Sequence, residues 1–308
     1  MSLSVKTCLG LAAVLAAVTA TPLQAAEPVS LDTFRAIKRT APSIELPYGA
    51  SASQRIDVFL PRGKGPNPVA ILIHGGCWTV RTAGREQLRH LGADLASRGV
   101  AVWSIGYRRA DEPGGGYPGT YQDVAAAIDR IRSEAGRYHL DLRHVVLVGH
   151  SAGGHLALWA AERQQLPPGS PLATPDPFIP STVLSLAGVG DLQTFAPNIT
   201  PICGPGVVEP LTTGDKNGTR EPVFAEVSPA ALPATDAKVV MISGILDRLV
   251  PPYVAYDYAV AQAEKNGISI ERVDIPDAGH FDLVTTETPA WHIVRNRILD
   301  ALGMSNSD

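Results

Sequence analysis

The chain has 308 residues, 45% of them hydrophobic and 18% charged, with a formal net charge of -4. That length and apolar content suit one large domain with a full core. The lack of a basic excess excludes nucleic acid as a partner, and no apolar stretch is long enough to span a bilayer.

Met1 to Lys6 carries a positive charge, Leu9 to Val18 is apolar, and small residues follow at Ala20, Ala25 and Ala26. This is the pattern of a signal peptide over residues 1–26, and it predicts a secreted or periplasmic protein. A buried N-terminal helix is the other reading of this stretch. Cys8 stands before the apolar run, so it leaves with the peptide and is poorly placed for lipid attachment. Residues 27–308 then form a single domain, whose first two dozen residues show no readable pattern.

Gln54 to Leu60 alternates like an early antiparallel strand. Val69 to Ile73 is a continuous apolar run, as a strand buried on both faces requires, and it ends in His74-Gly75-Gly76-Cys77-Trp78. Adjacent glycines let backbone N–H groups approach a reacting carbonyl, and such donors stabilise a tetrahedral oxyanion by roughly 3 to 4 kcal/mol apiece. The N–H groups of Gly76 or Cys77 are the candidates. Leu88, Leu91 and Leu95 mark a helix, and Val100 to Ile105 a strand. The Gly- and Pro-rich loop from Tyr107 to Pro118 leads to a helix holding Asp123, with Val124, Ala127, Ile128 and Ile131 on its apolar side. An Arg108–Asp123 ion pair would brace that loop; contact with substrate is the other use for it.

Val145 to Val148 is a second buried-strand run, and it leads directly into Gly149-His150-Ser151-Ala152-Gly153. Gly154 to Ala161 reads as the helix that follows. A G-x-S-x-G pentapeptide between strand and helix throws its serine clear of the backbone, making Ser151 the candidate nucleophile and the N–H of Ala152 the second oxyanion donor. After a strand at Thr182 to Ala187 comes an insertion from Gly188 to about Asp236, rich in Pro, Gly and Thr and with little helical periodicity. Its apolar members Val189, Leu192, Phe195, Ile199 and Ile202 either line an acyl or alcohol site or pack the insertion onto the body. Asn198-Ile199-Thr200 and Asn217-Gly218-Thr219 fit glycosylation sequons.

A serine nucleophile needs a base, and the base an orienting carboxylate. The strand Lys238 to Ser243 opens into a loop centred on Asp247, and the strand Ile268 to Ile275 opens into Pro276-Asp277-Ala278-Gly279-His280-Phe281-Asp282. Both lie at carboxyl ends of strands, where open parallel sheets place their chemistry. The predicted triad is Ser151, Asp247 and His280. Asp274, Asp277 and Asp282 are rivals for the carboxylate, but a group beside the histidine in the chain rarely reaches its ring from the right side. Structural roles suffice for His90, His139, His144, His150, His155 and His292. Val254, Tyr258 and Ala261 mark another helix, and Pro289 opens the last one, with Trp291, Val294, Ile298 and Leu302 on one side. Without an H-E-x-x-H or a cysteine pair at ligand spacing, no metal and no cofactor are implied.

Alternation of strand and helix predicts a mostly parallel central sheet with helices on both faces. The pair H-G-G-x-W at 74–78 and G-H-S-A-G-G at 149–154 resembles the α/β-hydrolase esterases, in the branch of kynurenine formamidase and bacterial carboxylesterases. The resemblance covers nearly all of the chain after residue 50. It implies an α/β-hydrolase fold with a short cap insertion at about 188–236, with His74, Gly75 and Trp78 shaping and anchoring the oxyanion loop. It also implies a serine carboxylesterase acting on a small-molecule ester. An arylformamidase with the same triad is the alternative, favoured by H-G-G-x-W but at odds with export, because that task is cytosolic in the family. A non-catalytic binding module on this fold is a remote third.

Removal of the leader leaves Cys77 and Cys203. An exported chain meets oxidising conditions, so a Cys77–Cys203 disulfide tying the insertion to the oxyanion loop is expected. Two independent buried thiols are the alternative.

Overall fold

The structure, a computed structural model, describes residues 27–82 and 84–304. The leader read at 1–26 lies outside the described residues. A short helix α1 (Leu31–Ala36) is followed by strands β1 (Ile44–Pro47), β2 (Arg55–Phe59) and β3 (Asn67–Ile73), then α2 (Arg89–Ser97), β4 (Ala101–Ile105), α3 (Gly119–Asp129) and α4 (Ile131–Tyr138). Next come β5 (Leu140–His150), α5 (Ala152–Glu162) and β6 (Thr182–Leu186). The insertion holds α6 (Leu192–Cys203), α7 (Val208–Thr212), β7 (Thr213–Lys216), β8 (Thr219–Pro222) and α8 (Phe224–Val227). Finally come β9 (Lys238–Gly244), α9 (Tyr253–Asn266), β10 (Glu271–Ile275) and α10 (Pro289–Ala301).

Eight strands form one sheet in the order β1-β2-β4-β3-β5-β6-β9-β10, antiparallel only where β2 meets β1 and β4. From β3 the chain steps to β4 on one side and then to β5 on the other. That reversal opens a crevice at the carboxyl ends of β3 and β5, the place where such sheets bind ligands. The continuous apolar runs have the cause inferred for them: every residue of β4 is buried, as are Val69 to Ile73 of β3.

Helix α5 is buried along all eleven residues, which explains why all but His155 and Glu162 are Ala, Gly, Leu or Trp. It also carries the insertion. His155 donates from Nε2 to the Val227 carbonyl (2.8 Å), and Trp159 donates from Nε1 to that of Glu226 (3.0 Å). Arg108 grips Asp123 with two guanidinium bonds of 2.7 and 2.8 Å, and its backbone N–H adds a third of 2.9 Å.

Three local readings need correction. The insertion is not poor in helix: Leu192, Phe195 and Ile199 lie at helical spacing on the buried side of α6, whose first turn Asp191 caps by accepting from the Thr194 N–H at 3.0 Å. Pro197 and Pro201 inside α6 disguised that period. Secondly, β5 starts at Leu140, earlier than Val145, with His144 on its exposed beginning; the register with β3 shifts between Asn67 and Val69, and the apolar pattern starts only after that irregularity. Thirdly, β10 begins at Glu271, later than Ile268.

Candidate active site

Ser151 sits between β5 and α5 with φ 56° and ψ -120°, a backbone conformation that side-chain-bearing residues seldom hold. The flanking glycines are required by space. A Cβ at Gly149 would lie 2.0 Å from the Gly153 carbonyl oxygen, and one at Gly153 would lie 2.1 Å from that of Ile73. The serine N–H donates to the Leu186 carbonyl at 2.8 Å, tying the turn to the end of β6. Ala152 is the first residue of α5, where N–H groups have no acceptor within the helix.

The loop after β3 is under comparable strain, with φ of 104° at Gly76, 56° at Cys77 and 52° at Trp78. Its surroundings hold it there. Gly76 accepts from the Thr79 N–H at 3.0 Å and from the Thr82 hydroxyl, Gly75 accepts from His74 Nδ1 at 2.8 Å, and the Trp78 carbonyl accepts from Ala110 at 2.8 Å. The His74 ring stacks on Tyr107 at 4.4 Å, and the Tyr107 hydroxyl returns a 2.9 Å bond to the His74 carbonyl. Burial pushes the His74 imidazole down to about 3. It is therefore a neutral ring donating through Nδ1, and it does not line the cavity that holds Ser151.

Asp247 is buried in the loop after β9. One carboxylate oxygen accepts from the N–H groups of Leu249 and Val250 at 2.8 and 2.9 Å, and the other accepts from His280 Nδ1 at 2.7 Å. The three rivals do other things. Asp274 lies 3.6 Å from Arg272, Asp277 is exposed in the turn after β10 with φ 55°, and Asp282 accepts from Gly279 N–H and Val29 N–H, both at 3.0 Å. Asp282 thus closes the histidine loop on itself and bolts it to the N-terminal segment. Sequence reasoning missed that role, and it missed His150, whose Nε2 donates to the His280 carbonyl at 3.0 Å with the rings 4.6 Å apart. Neither contact has a signal in the motifs.

Ser151, Ala152, Gly76, Cys77 and His280 line one cavity of about 150 Å³, together with Trp78 and the insertion residues Val189, Phe195, Ile199 and Ile202. Leu192 packs inward instead. Cys77 and Cys203 are joined by a disulfide with Cα atoms 5.5 Å apart, so the end of α6 is tied to the strained loop. The bridge spans 126 positions. On chain entropy it stabilises the fold by about 4 to 5 kcal/mol. Reduction is expected to lower the melting temperature and the hydrolytic rate together, because one bond supports both insertion and loop. Melting and turnover measured with and without a phosphine reductant check this, and a fully reduced protein with unchanged turnover would contradict it.

Four buried imidazoles respond to acid in the same sense. Burial holds His74 at about 3 and His155 at about 4, and lowers His90 and His150 as well. Each folded value lies below the ordinary 6.5, so the unfolded chain takes up protons first and stability is lost as pH falls below about 6.5. At pH 5 the loss is about 2 kcal/mol for each of His74 and His155. Glu162, raised by burial, works in the opposite sense, one carboxyl against four imidazoles. Thermal melts at constant ionic strength should fall by roughly 5 °C or more between pH 7 and pH 5. A flat or rising profile would contradict this.

A serine on a strained turn, a histidine held by a buried carboxylate and a cluster of backbone donors at the carboxyl end of a doubly wound sheet define an α/β-hydrolase of the esterase class. Residues 56–259 match the BD-FAE family, and the chain belongs to it. It is similar to kynurenine formamidase of Danio rerio, 24% identical over 277 residues covering 89% of this chain and 86% of that protein. It is also similar to esterase LipQ of Mycobacterium tuberculosis, 26% identical over 274 residues covering 86% of this chain and 62% of that one. Among solved structures, esterase B of Lactobacillus rhamnosis shares the fold with a TM-score of 0.72 at 22% identity, over 89% of each chain.

Proposed function

We propose that the protein is an exported serine hydrolase that cleaves carboxylic esters through an acyl-enzyme. The observation that carries this reading is the 2.7 Å bond from His280 Nδ1 to the buried Asp247 carboxylate, beside the cavity that Ser151 shares with the oxyanion-loop backbone. Asp247 fixes the proton on Nδ1, which leaves Nε2 free to take the proton of the Ser151 hydroxyl as Oγ attacks the ester carbonyl. The N–H groups of Gly76 or Cys77 and of Ala152 receive the oxyanion. Water then replaces the departed alcohol, His280 takes its proton, and the acid leaves Ser151. Export is supported by the leader pattern at 1–26 and by a disulfide, which persists in oxidising compartments.

Arylformamidase activity is the second reading, favoured by the likeness to kynurenine formamidase. Nitrophenyl esters run beside N-formylkynurenine separate the two. Ester turnover is expected to have the higher kcat/KM. A higher value on the formamide would replace the first reading with the second.

A further inference from the structure

Two cavities meet along Leu31, Leu249, His280 and Phe281. The first is the apolar chamber of about 150 Å³, which touches Ser151, Gly76, Cys77 and Ala152 and is lined from the insertion by Phe195, Ile199 and Ile202. The second is an open groove of about 750 Å³ that adjoins it. It touches His280 and Asp247 but none of Ser151, Gly76, Cys77 or Ala152. One wall is the segment from Glu27 to Leu31; the other is the Asp247 loop, where Ile245 and Leu246 present apolar side chains that are 53% and 41% exposed. Their backbones are fixed, Ile245 N–H to the Ile275 carbonyl at 3.0 Å and Leu246 N–H to that of Ala278 at 2.9 Å. The loop therefore holds these side chains out toward the groove, and with Leu31, 36% exposed, they make an apolar rim beside the histidine.

Resting on the ester reading above, we infer that the chamber receives the acyl group and the groove receives the leaving alcohol. The substrate class is then an ester of a small acid, up to about six carbons or one ring, with a bulky, partly apolar alcohol, and Ile245 and Leu246 determine alcohol specificity. The chemistry assigns the two sides. The carbonyl carbon must sit on Ser151 with its oxygen against the backbone donors, so its acyl substituent lies in the space those groups line. As the Ser151 Oγ–C bond forms, the Oγ proton passes to His280 Nε2. When the C–O bond to the alcohol breaks, the same proton passes to the departing alkoxide oxygen, so the alcohol lies against the histidine; both cavities border that ring, and the groove is the one that does so without the backbone donors the carbonyl needs. The size limit follows from volume, since an apolar protein cavity near 150 Å³ holds about one benzene ring. Three exposed apolar side chains around one groove beside a reactive histidine differ from the scattered singles normal on protein surfaces.

Two ratios of kcat/KM test the assignment. The alcohol ratio compares 2-cyclohexylethyl butyrate with ethyl butyrate, two esters whose leaving groups are of similar acidity; the acyl profile uses nitrophenyl esters of two to ten carbons. Wild type is expected to prefer the cyclohexylethyl ester at least fivefold and to lose rate beyond about six acyl carbons. Substituting Ile245→Ser with Leu246→Ser should remove most of that alcohol preference without moving the acyl optimum, and Ile199→Ala should move the acyl optimum up by two or more carbons without changing the alcohol ratio. Absence of an alcohol preference in wild type, a preference that survives the double substitution, or effects exchanged between the two variants would each overturn the inference. Failure of the ester reading looks different, because wild type would then turn over neither series. Even so, Ser151 phosphonylation by nitrophenyl alkylphosphonates of increasing alkyl length, read by intact mass, reports the chamber directly. A length profile that Ile199→Ala does not shift overturns the acyl assignment there as well.

Discussion

Replacing Ser151 by alanine is expected to lower kcat/KM on nitrophenyl esters by about three orders of magnitude or more while leaving the thermal melt near that of wild type. The rate falls because no acyl bond can form, and the remaining backbone donors accelerate only the slow attack of water. The fold survives because the conformation at 151, φ 56° and ψ -120°, is imposed by packing around Gly149 and Gly153 and by the 2.8 Å bond from its N–H to Leu186, none of which involves the hydroxyl. The side chain removed is small, so it leaves little void. A variant that keeps a tenth of the wild-type rate would sink the acyl-enzyme mechanism. One that unfolds would show that the hydroxyl also supports the turn.

Asp247→Asn is expected to reduce the rate about a thousandfold or more, and Asp277→Asn to change it little. The asymmetry follows from the bonds each group makes. One oxygen of Asp247 accepts from the N–H groups of Leu249 and Val250, so an asparagine must place its carbonyl there and turn its NH₂ toward His280. An NH₂ facing Nδ1 requires the lone pair on that nitrogen and the proton on Nε2, the tautomer that cannot accept the serine proton. Asp277 is exposed and outside the cavity. Steady-state kinetics on the two purified variants decide the point, and the opposite order would move the carboxylate role to the turn after β10.

Legibility from sequence tracked how local each determinant is. Ser151 and the oxyanion loop were readable because strand, motif and helix are contiguous, so steric need is written within a dozen residues. Asp247 and His280 were readable by position, each in the first loop after a strand, β9 buried and β10 at the sheet edge. Cys77 and Cys203 were paired by compartment and by elimination, an argument that says nothing of distance; only the fold places their Cα atoms 5.5 Å apart. The α6 period was concealed by two prolines whose lost backbone bonds the packed face outweighs. Asn217-Gly218 was read only as part of a sequon, although the dipeptide is a strong two-residue hairpin signal; here it turns β7 into β8 with φ of 56° and 82°. The contacts of His150 and Asp282 were illegible for a different reason. Each joins segments more than a hundred positions apart through a backbone group, and backbone groups carry no residue identity.

The bond from Val29 to Asp282 also has a practical side. It pins the start of the described chain against the histidine loop, with Glu27 on the wall of the open groove. Glu27 therefore stands beside the mouth of the site. An affinity tag fused there would crowd the open groove, whereas the carboxyl-terminal residues follow α10 and take no part in either cavity wall among the described residues. For recombinant work the handle belongs at the carboxyl end.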